Sequence, residues 1–293
     1  MTHLPFGRLL TAMVTPFAAD GAVDYDQARR LAAHLVDVQL NDALVVNGTT
    51  GESPTTTDSE KRRLLEVVVE EVGDRAGVVA GVGTFDTAHT LELAGQAVDA
   101  GVDGLLVVTP YYSRPPQDAL AAHFLAVADA TPLPVMVYDI PHRSGVPVET
   151  TTMIEIAQHP RIVAVKDAKG LPVASAQVIA ATGLAYYSGD DAMTLPLLAV
   201  GGVGLVGTST HFTGAESKAM IEAFVGGDVA GALERYRALL PVYQGVFATQ
   251  GCMLVKAGLA ARGLTSDRVR RPLLEASAAQ TAAFVAVLDA AGF

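Results

Sequence analysis

The chain of 293 residues is 50% hydrophobic and 17% charged, so it can bury the core of one large α/β barrel with an appendage, or of two domains. Its 20 basic and 31 acidic side chains give a formal net charge of −11, which argues against a nucleic-acid partner and against an anionic membrane surface. No uninterrupted apolar run reaches the roughly 18 residues that a membrane span needs, so a globular protein is expected.

Short apolar runs alternate with amphipathic segments along the first three quarters of the chain. Helices are predicted at residues 25–38, 58–72 and 87–100, and further helical stretches separate the later strands. The eight predicted strands are residues 9–14, 43–47, 78–82, 104–108, 135–138, 162–166, 185–188 and 204–206. Strands of this kind, separated by helices, predict an α/β fold in which a parallel sheet closes into a (β/α)8 TIM barrel. A doubly wound open sheet is the alternative, but no Gly-x-Gly-x-x-Gly turn follows the first strand.

The character of the sequence changes after about Phe224. Residues 228–248, 253–262 and 272–290 are predicted as helices with no strands between them. Gly226-Gly227-Asp228 combines a helix stop with a helix cap and marks the boundary. We therefore predict a barrel domain over residues 1–226 and a C-terminal helical domain over residues 227–293.

Two features of the sequence bear on its cellular location. Residues 1–8 lack the charged-then-apolar order of a signal peptide. The only cysteine, Cys252, cannot form an internal disulfide bond. Both observations favour a cytoplasmic protein.

Lys166 closes an apolar strand in a chain that has only five lysines. At the carboxyl end of a barrel strand, loss of hydration would favour the neutral amine, which can attack a carbonyl carbon. The alternative is a strand-end lysine that simply reaches solvent. Lys169, in the loop that follows, is expected to be solvated, and Lys256, in a helical context, is expected to have a structural or contact role.

The loop after the second strand contains Gly48-Thr49-Thr50-Gly51. This segment can bring backbone amides and two hydroxyls close to a small carboxylate. The alternative is an ordinary turn in which Ser53 and Thr57 compete to cap the next helix.

Aromatic and basic side chains follow the fourth and fifth strands. Tyr138 ends an apolar strand that is expected to lie opposite the lysine strand, so its phenol could exchange protons in the barrel mouth. Arg143 could grip a carboxylate with two hydrogen bonds, or it could be a solvated loop arginine. Tyr111 and Tyr112 are typical of rim packing or of an oligomer contact.

Histidine spacing and glycine-rich turns bear on whether the chain has a metal site or a phosphate site. The seven histidines show no His-x-His or His-Glu-x-x-His spacing, so a metal-dependent mechanism is disfavoured. Gly201-Gly202-Val203-Gly204 and Gly207-Thr208-Ser209-Thr210 could hold a phosphate near the last two strands. The alternative for these glycines is tight closure of the barrel by small residues.

Five segments in order resemble the pyruvate-dependent class I aldolase and lyase family over nearly the whole predicted barrel. They are Gly48-Thr49-Thr50-Gly51-Glu52-Ser53, Val108-Thr109-Pro110-Tyr111-Tyr112, residues 138–145, Val165-Lys166-Asp167-Ala168-Lys169 and Ser188-Gly189-Asp190-Asp191. The resemblance implies that Lys166 forms an imine with C2 of pyruvate. The derived enamine would then attack the aldehyde of aspartate semialdehyde, as in lysine and diaminopimelate biosynthesis, with no metal or organic cofactor.

The resemblance also implies roles for individual residues. Tyr138, Thr49 and Tyr112 would form a proton relay, with Tyr112 reaching in from a neighbouring subunit of a homotetramer built as a dimer of dimers and Tyr111 at the same contact. Three further groups would bind substrate: Thr50 with the amides around Gly48 would hold the pyruvate carboxylate, the backbone carbonyl of Val206 would face the imine, and Arg143 would hold the carboxylate of the aldehyde.

Two other functions stay open from the sequence. One is a lyase of the same chemistry that acts on another 2-keto acid, such as a deoxy-sugar acid, although Arg143 favours a short substrate ending in a carboxylate. The other is a non-catalytic barrel that binds a keto acid, against which the pairing of Lys166 with Tyr138 argues.

The chain departs from the family pattern in several places. Residues 205–211 and 251–254 differ from the usual strand-end and Asn-Pro patterns, which leaves the fine specificity open. The lysine feedback pocket of inhibited members has polar residues where this chain has Asp58, Lys61, Phe85 and His89. A cation and an aromatic ring at these positions predict weak or absent inhibition by lysine.

Overall fold

The protein is described by a computed structural model that covers residues 4–293. Eight parallel strands form a closed barrel in the order β1 to β8, each hydrogen-bonded to its neighbours in sequence and β8 to β1. The strands are β1 (Leu9–Ala12), β2 (Ala43–Val46), β3 (Gly77–Gly81), β4 (Gly104–Val108), β5 (Val135–Asp139), β6 (Ile162–Asp167), β7 (Ala185–Ser188) and β8 (Gly204–Gly207). The predicted TIM barrel is confirmed and the open-sheet alternative is wrong. Residues 1–3 of the predicted barrel domain, with His3, lie outside the described residues.

Twelve helices surround and extend this barrel within residues 4–293. Those of the barrel are α1 (Tyr25–Asp37), α2 (Asp58–Val72), α3 (Thr87–Asp99), α4 (Gln117–Ala130), α5 (Pro141–Ser144), α6 (Thr150–Ile156), α7 (Pro172–Thr182), α8 (Thr194–Ala199) and α9 (Thr210–Val225). The last three are α10 (Val229–Gly245), α11 (Gly251–Ala261) and α12 (Ala278–Ala291). Short 3-10 helices occupy Ser53–Thr55 and Asp191–Met193. None of the helices in the described part of the chain is long and apolar enough to cross a membrane.

Predicted element boundaries differ from the observed ones by a few residues, and the last helix differs most. A helix was predicted from residue 272, but α12 begins at Ala278. The reason is local: Ser277 caps the helix and Gln280 returns a hydrogen bond to its backbone, which makes a capping box. The start of α10 is closer to prediction, since the Asp228 side chain accepts from the amide of Gly231.

The alternation of side chains along each strand divides the buried residues into two layers. One apolar cluster fills the barrel interior and includes Leu10, Val45, Met136, Ala164 and Val206. A second, larger cluster lies between the sheet and the helices. Because strand side chains alternate with a period of two, β2 to β7 contribute to both clusters, whereas the outward Leu9 of β1 and Leu205 of β8 join a third cluster with α9 and α10. The last residues of each strand determine which side chains reach the barrel mouth.

The C-terminal helices pack against the barrel and reach its carboxyl end. The hydroxyl of Tyr236 in α10 donates to the carbonyl of Ala192 at 2.6 Å, and Tyr243 shares a hydrogen bond with Ser217 of α9 at 2.9 Å. Lys256 in α11 is fully buried and pairs with Glu52 in the loop after β2. This contact confirms the structural role predicted for Lys256. The division into domains at residue 226 stays a prediction.

Candidate active site

Lys166 and Tyr138 lie side by side at the carboxyl end of the barrel. The strands β5 and β6 are neighbours, and Tyr138 is in register with Lys166, so the expectation that they lie opposite one another is wrong. The Lys166 Nζ lies 4.3 Å from the centre of the Tyr138 ring. Each residue is only 5% exposed. Neighbouring strands with the same register place the amine and the phenol closer together than opposite strands would.

The environment of Lys166 favours its neutral form. Burial lowers the pKa of Lys166 to about 8, the carboxylate of Asp191 opposes this shift, and the guanidinium of Arg143 adds to it. Lys166 is therefore a buried amine without an ion-pair partner within 4 Å in residues 4–293. The predicted reactive amine has the placement that the chemistry requires, and the solvent-reaching alternative is wrong.

The loop after β2 brings Thr49 to Tyr138. Burial raises the pKa of Tyr138, and the neighbouring Thr49 side chain, which lines the same cavity, partly offsets that shift. The loop leaves β2 through Asn47, whose φ of 62° is in the left-handed region. Of the two residues considered as helix caps, Thr57 caps α2 in a capping box with Glu60, whereas Ser53 begins a 3-10 helix.

A cavity of about 440 Å³ opens above Lys166. From the barrel it is lined by Thr49, Thr50, Tyr138, Ile140, His142, Arg143, Lys166, Ala168, Gly189, Asp190, Ala192 and Thr208. From α10, α11 and the segment between them it is lined by Tyr243, Gln244, Phe247, Gln250, Gly251 and Cys252. Apart from the departure from the family pattern at residues 251–254, nothing in the sequence indicated this second group, because residues 243–252 contain no motif that points to a site.

Arg143 lies on the short helix α5 and is exposed to solvent. It lines the same cavity as Lys166, where its charge adds to the lowering of the pKa of Lys166 by burial and opposes the rise in the pKa of Tyr138 that burial causes. The side chain is thus solvated and also part of the site, which is the position needed to bind an anion that enters the cavity.

Other predicted residues lie outside this cavity. Tyr112 is 93% exposed, and Tyr111 packs edge-on against Phe85 with ring centres 5.6 Å apart. Gly48 lines a small neighbouring pocket together with Thr49, Tyr111 and Tyr138. Val206 lies in β8 next to Leu10 of β1, with its side chain in the barrel interior.

The glycine-rich turn after β8 already binds an anion, which is the carboxylate of Asp191. This carboxylate accepts the amides of Thr208 and Ser209 at 2.9–3.1 Å and a hydroxyl from Ser209. Asp191 is 0% exposed, and burial raises its pKa against the effect of these donors. A phosphate site at this turn is therefore wrong, because the amides that would bind it are occupied.

Lys169 contradicts the expectation that it would be solvated. Its side chain is 5% exposed, and its Nζ lies 3.0 Å from Oδ2 of Asp139. The sequence contained no signal for this, because a lysine three residues beyond a strand end usually extends into water.

Within residues 4–293, no three His, Cys, Asp or Glu side chains are grouped as a metal site would require. The cavity above Lys166 is lined by hydroxyls, amides and the Arg143 guanidinium, together with the His142 imidazole, the Asp190 carboxylate and the Cys252 thiol. This set suits proton transfer and the binding of carboxylates.

Comparisons with known proteins agree with this geometry. The model of the dihydrodipicolinate synthetase family matches residues 5–291. Over 284 residues the chain is 64% identical to the 4-hydroxy-tetrahydrodipicolinate synthase of Cutibacterium acnes, covering 97% of each chain. It is 62% identical over 289 residues to the enzyme of the same name from Acidothermus cellulolyticus, covering 99% of this chain and 94% of the relative.

Solved structures with the same fold include the dihydrodipicolinate synthase of Cyanidioschyzon merolae with lysine bound. It has a TM-score of 0.96 and 40% identity, over 99% of both chains. The dihydrodipicolinate synthase of Bacillus anthracis has a TM-score of 0.94 and 39% identity, over 97% of this chain and 98% of that one. Identities of this size over whole chains extend the similarity beyond the fold.

Proposed function

The chain belongs to the dihydrodipicolinate synthetase family, and on that premise we propose that it condenses pyruvate with L-aspartate 4-semialdehyde through an imine on Lys166. The product is 4-hydroxy-tetrahydrodipicolinate, and the enzyme is a lyase. The observation that carries the assignment is a buried amine 4.3 Å from the Tyr138 ring, at the base of a cavity that Arg143 also lines.

In the first step the neutral Lys166 Nζ attacks C2 of pyruvate. The carbinolamine loses water to give an imine, and loss of a proton from C3 gives an enamine. The enamine carbon attacks the aldehyde carbon of the second substrate, which takes up a proton as its carbonyl becomes a hydroxyl. The amine of that substrate then displaces Lys166 and closes the six-membered ring, so the enzyme is regenerated.

Tyr138 and Thr49 transfer the protons of these steps. The Thr49 hydroxyl lines the cavity beside the phenol and can pass a proton on, and burial keeps Tyr138 protonated at neutral pH. The relay is completed by Tyr112 of a neighbouring subunit. Support for such a contact comes from Tyr112 itself, whose side chain is 93% exposed although its backbone is held at φ 76°. A non-glycine residue adopts this conformation at a cost of about 1 kcal/mol or more.

The substrates are held by groups from different strands. Thr50 and the amides of the loop that begins at Gly48 bind the pyruvate carboxylate, and the carbonyl of Val206 faces the imine nitrogen. Arg143 binds the carboxylate of the aldehyde, because a planar guanidinium pairs with a carboxylate through two parallel hydrogen bonds. An arginine at this position favours a short aldehyde that ends in a carboxylate over the polyhydroxylated aldehyde of the alternative function.

A trapping experiment tests the assignment. The protein is incubated with pyruvate, reduced with borohydride and digested, and the modified peptide is identified by mass. We expect one adduct, on Lys166; an adduct elsewhere or none contradicts the mechanism. Turnover with aspartate semialdehyde and with sugar aldehydes, measured side by side, then separates the synthase from a lyase acting on a deoxy-sugar acid.

Replacing Tyr138 with Phe removes the proton-transfer group and keeps the ring. We expect kcat to fall by about 10² to 10⁴-fold, the usual contribution of a general acid or base. Tyr187→Phe is the matched control, since Tyr187 is also buried in the barrel but its hydroxyl donates to the carbonyl of Gly7. Steady-state kinetics of both variants measure the effect, and equal losses in the two would refute the role of Tyr138.

The rate of imine formation has a predictable pH dependence. Because the pKa of Lys166 is lowered to about 8, the neutral amine becomes more abundant as pH rises. Below pH 8 we expect the rate with pyruvate to rise about tenfold per pH unit, and above it to level off. Rapid-quench borohydride trapping between pH 6 and 10 measures this profile. A rate that still climbs at pH 10 would mean an unperturbed lysine.

Lysine is expected to inhibit weakly or not at all. The Asp58 carboxylate accepts a hydrogen bond from the ring Nε2 of His89 at 2.9 Å, and the Lys61 ammonium donates to the carbonyl of Thr56 at 2.5 Å. A second ammonium brought to this cluster meets the charge of Lys61 and a carboxylate that is already paired. A rate titration with lysine checks this, and inhibition at sub-millimolar lysine would overturn it.

We further propose that the reaction needs no metal or organic cofactor, since the imine itself supplies the electron sink. The active unit is a homotetramer, in which Tyr111 and Tyr112 lie at a subunit contact. A cytoplasmic location agrees with the thiol of Cys252, which is free and buried.

A further inference from the structure

Each of the two central residues of the site is followed in sequence by an aspartate. Asp139 and Asp167 are the last residues of β5 and β6, and they are in register with one another. Because strand side chains alternate, these carboxylates lie on the outer face of the sheet while Tyr138 and Lys166 lie on the inner face. Both aspartates are buried, at 0% and 5% exposure.

The side chain and the backbone amide of Lys169 connect these two outward-facing aspartates. Its Nζ lies 3.0 Å from Asp139 and donates to the carbonyl of Val148 at 3.2 Å. The Asp139 carboxylate also accepts the amide of Val148 at 3.2–3.3 Å. The ammonium therefore ties the end of β5, and the segment that follows α5, to the loop after β6.

The Asp167 carboxylate is held by the same loop and by α7. Asp167 accepts the amide of Lys169 at 2.9 Å and the hydroxyl of Ser175 in α7. The hydroxyl of Tyr186 is buried nearby with no hydrogen-bond partner in residues 4–293; burial raises the pKa of Tyr186, as do Asp167 and Asp139. Lys169 thus contacts both buried carboxylates, Asp139 through its ammonium and Asp167 through its backbone amide, so the geometry around Asp139 depends on Lys169.

We propose that Lys169 is a positioning residue for the condensation, which holds the Tyr138 phenol over the Lys166 amine by pinning β5 to the loop after β6. This inference rests on the proposed function. Lys169 touches no substrate, and it acts through the backbone of the two strands. The same contacts hold together the two ends, Asp139 and Val148, of the segment that contains α5 and Arg143. Misplacement of reacting groups by about 1 Å can cost about 10²-fold in rate.

The variant K169M tests the proposal, with rates normalised to folded protein. We expect kcat to fall about tenfold or more, and the KM for pyruvate to change by less than about threefold, because the loop after β2 binds its carboxylate. The matched control is K218M: Lys218 also pairs with an aspartate, Asp42, at 2.7 Å and donates to a backbone carbonyl, but at the amino end of the barrel. This control should keep the wild-type kcat.

A double variant separates positioning from stability. D139N/K169M removes both members of the Lys169–Asp139 ion pair, so neither is left as an unpaired buried charge, and Asp167 keeps its hydrogen bonds from the Lys169 amide and the Ser175 hydroxyl. The double variant should therefore fold even if K169M does not. We expect wild-type stability with kcat still reduced about fivefold or more, because the tether is absent. Wild-type kcat in folded K169M, or in a double variant of wild-type stability, overturns the proposal. Failure of the wild-type protein to form a borohydride-trapped pyruvate adduct would instead refute the function on which it rests.

Discussion

K166M is expected to abolish turnover, with kcat reduced about 10⁴-fold or more, because methionine fills the same space without a nucleophile. The covalent adduct with pyruvate should also disappear. Trapping by borohydride and steady-state kinetics measure the two effects. K218M is the control, since it removes a lysine at the other end of the barrel; this variant should keep wild-type turnover and the pyruvate adduct.

The same variant should be more stable than the wild type at neutral pH. Burial lowers the pKa of Lys166 to about 8, so below that pH the folded protein carries a buried ammonium. Burying this charge reduces the free energy of unfolding. The unfolded chain has a lysine pKa of about 10.4, so the cost is fully present below pH 8 and fades as pH rises to 10.4. Urea denaturation at pH 7 and at pH 10 measures this. A K166M protein less stable than the wild type at pH 7 would show that Lys166 is primarily structural.

K256M is expected to have the opposite effect on stability, lowering the free energy of unfolding by about 3–5 kcal/mol. Lys256 is as buried as Lys166, but it is ion-paired with Glu52, donates to the carbonyl of Arg268 at 2.7 Å, and lies 4.1 Å from the centre of the Phe17 ring. Burial lowers the pKa of Lys256, and Glu52 opposes the shift. Removing the ammonium leaves Glu52 as an uncompensated buried charge.

Two variants make this measurement specific. E52Q/K256M removes both charges and should recover most of the lost stability, while K218M, whose ion pair is a quarter exposed, should lose only about 0–1 kcal/mol. Urea denaturation of the three variants gives the comparison. If K256M and K218M lose equal stability, the buried pair is not what attaches α11 to the loop after β2.

Much of the site could be predicted because strand ends are local features. The apolar run that ends at Lys166 determines which side chain reaches the barrel mouth, and the same holds for Tyr138. The loop from Gly48 to Gly51 was identified in the same way, by its position after a strand. For these residues, the order along the chain and the alternation of side chains are sufficient information.

The residues that could not be predicted all depend on contacts across long stretches of chain. Asp191 occupies the turn that had been considered for phosphate, Lys169 pairs with Asp139 thirty positions earlier, and Gln244 and Cys252 join the cavity from the C-terminal helices. Nothing in the sequence near these residues indicates the partner. Each of these groups pairs with a buried polar group that packing brings next to it and that would otherwise lack a hydrogen-bond partner.

We could predict from the sequence the eight strands, their closure into a barrel, and the side chains at the strand ends. Hydrophobic periodicity and strand alternation depend on residues that are neighbours along the chain. The packing of the barrel shows what the sequence does not: Tyr138 adjoins Lys166 in register, and the buried Lys169 and Lys256 are paired with carboxylates, whereas Lys166 has no such partner within 4 Å in residues 4–293. The physical reason is that the pKa and the partner of a buried group depend on desolvation and on neighbours brought together by packing, and these have no fixed distance along the chain.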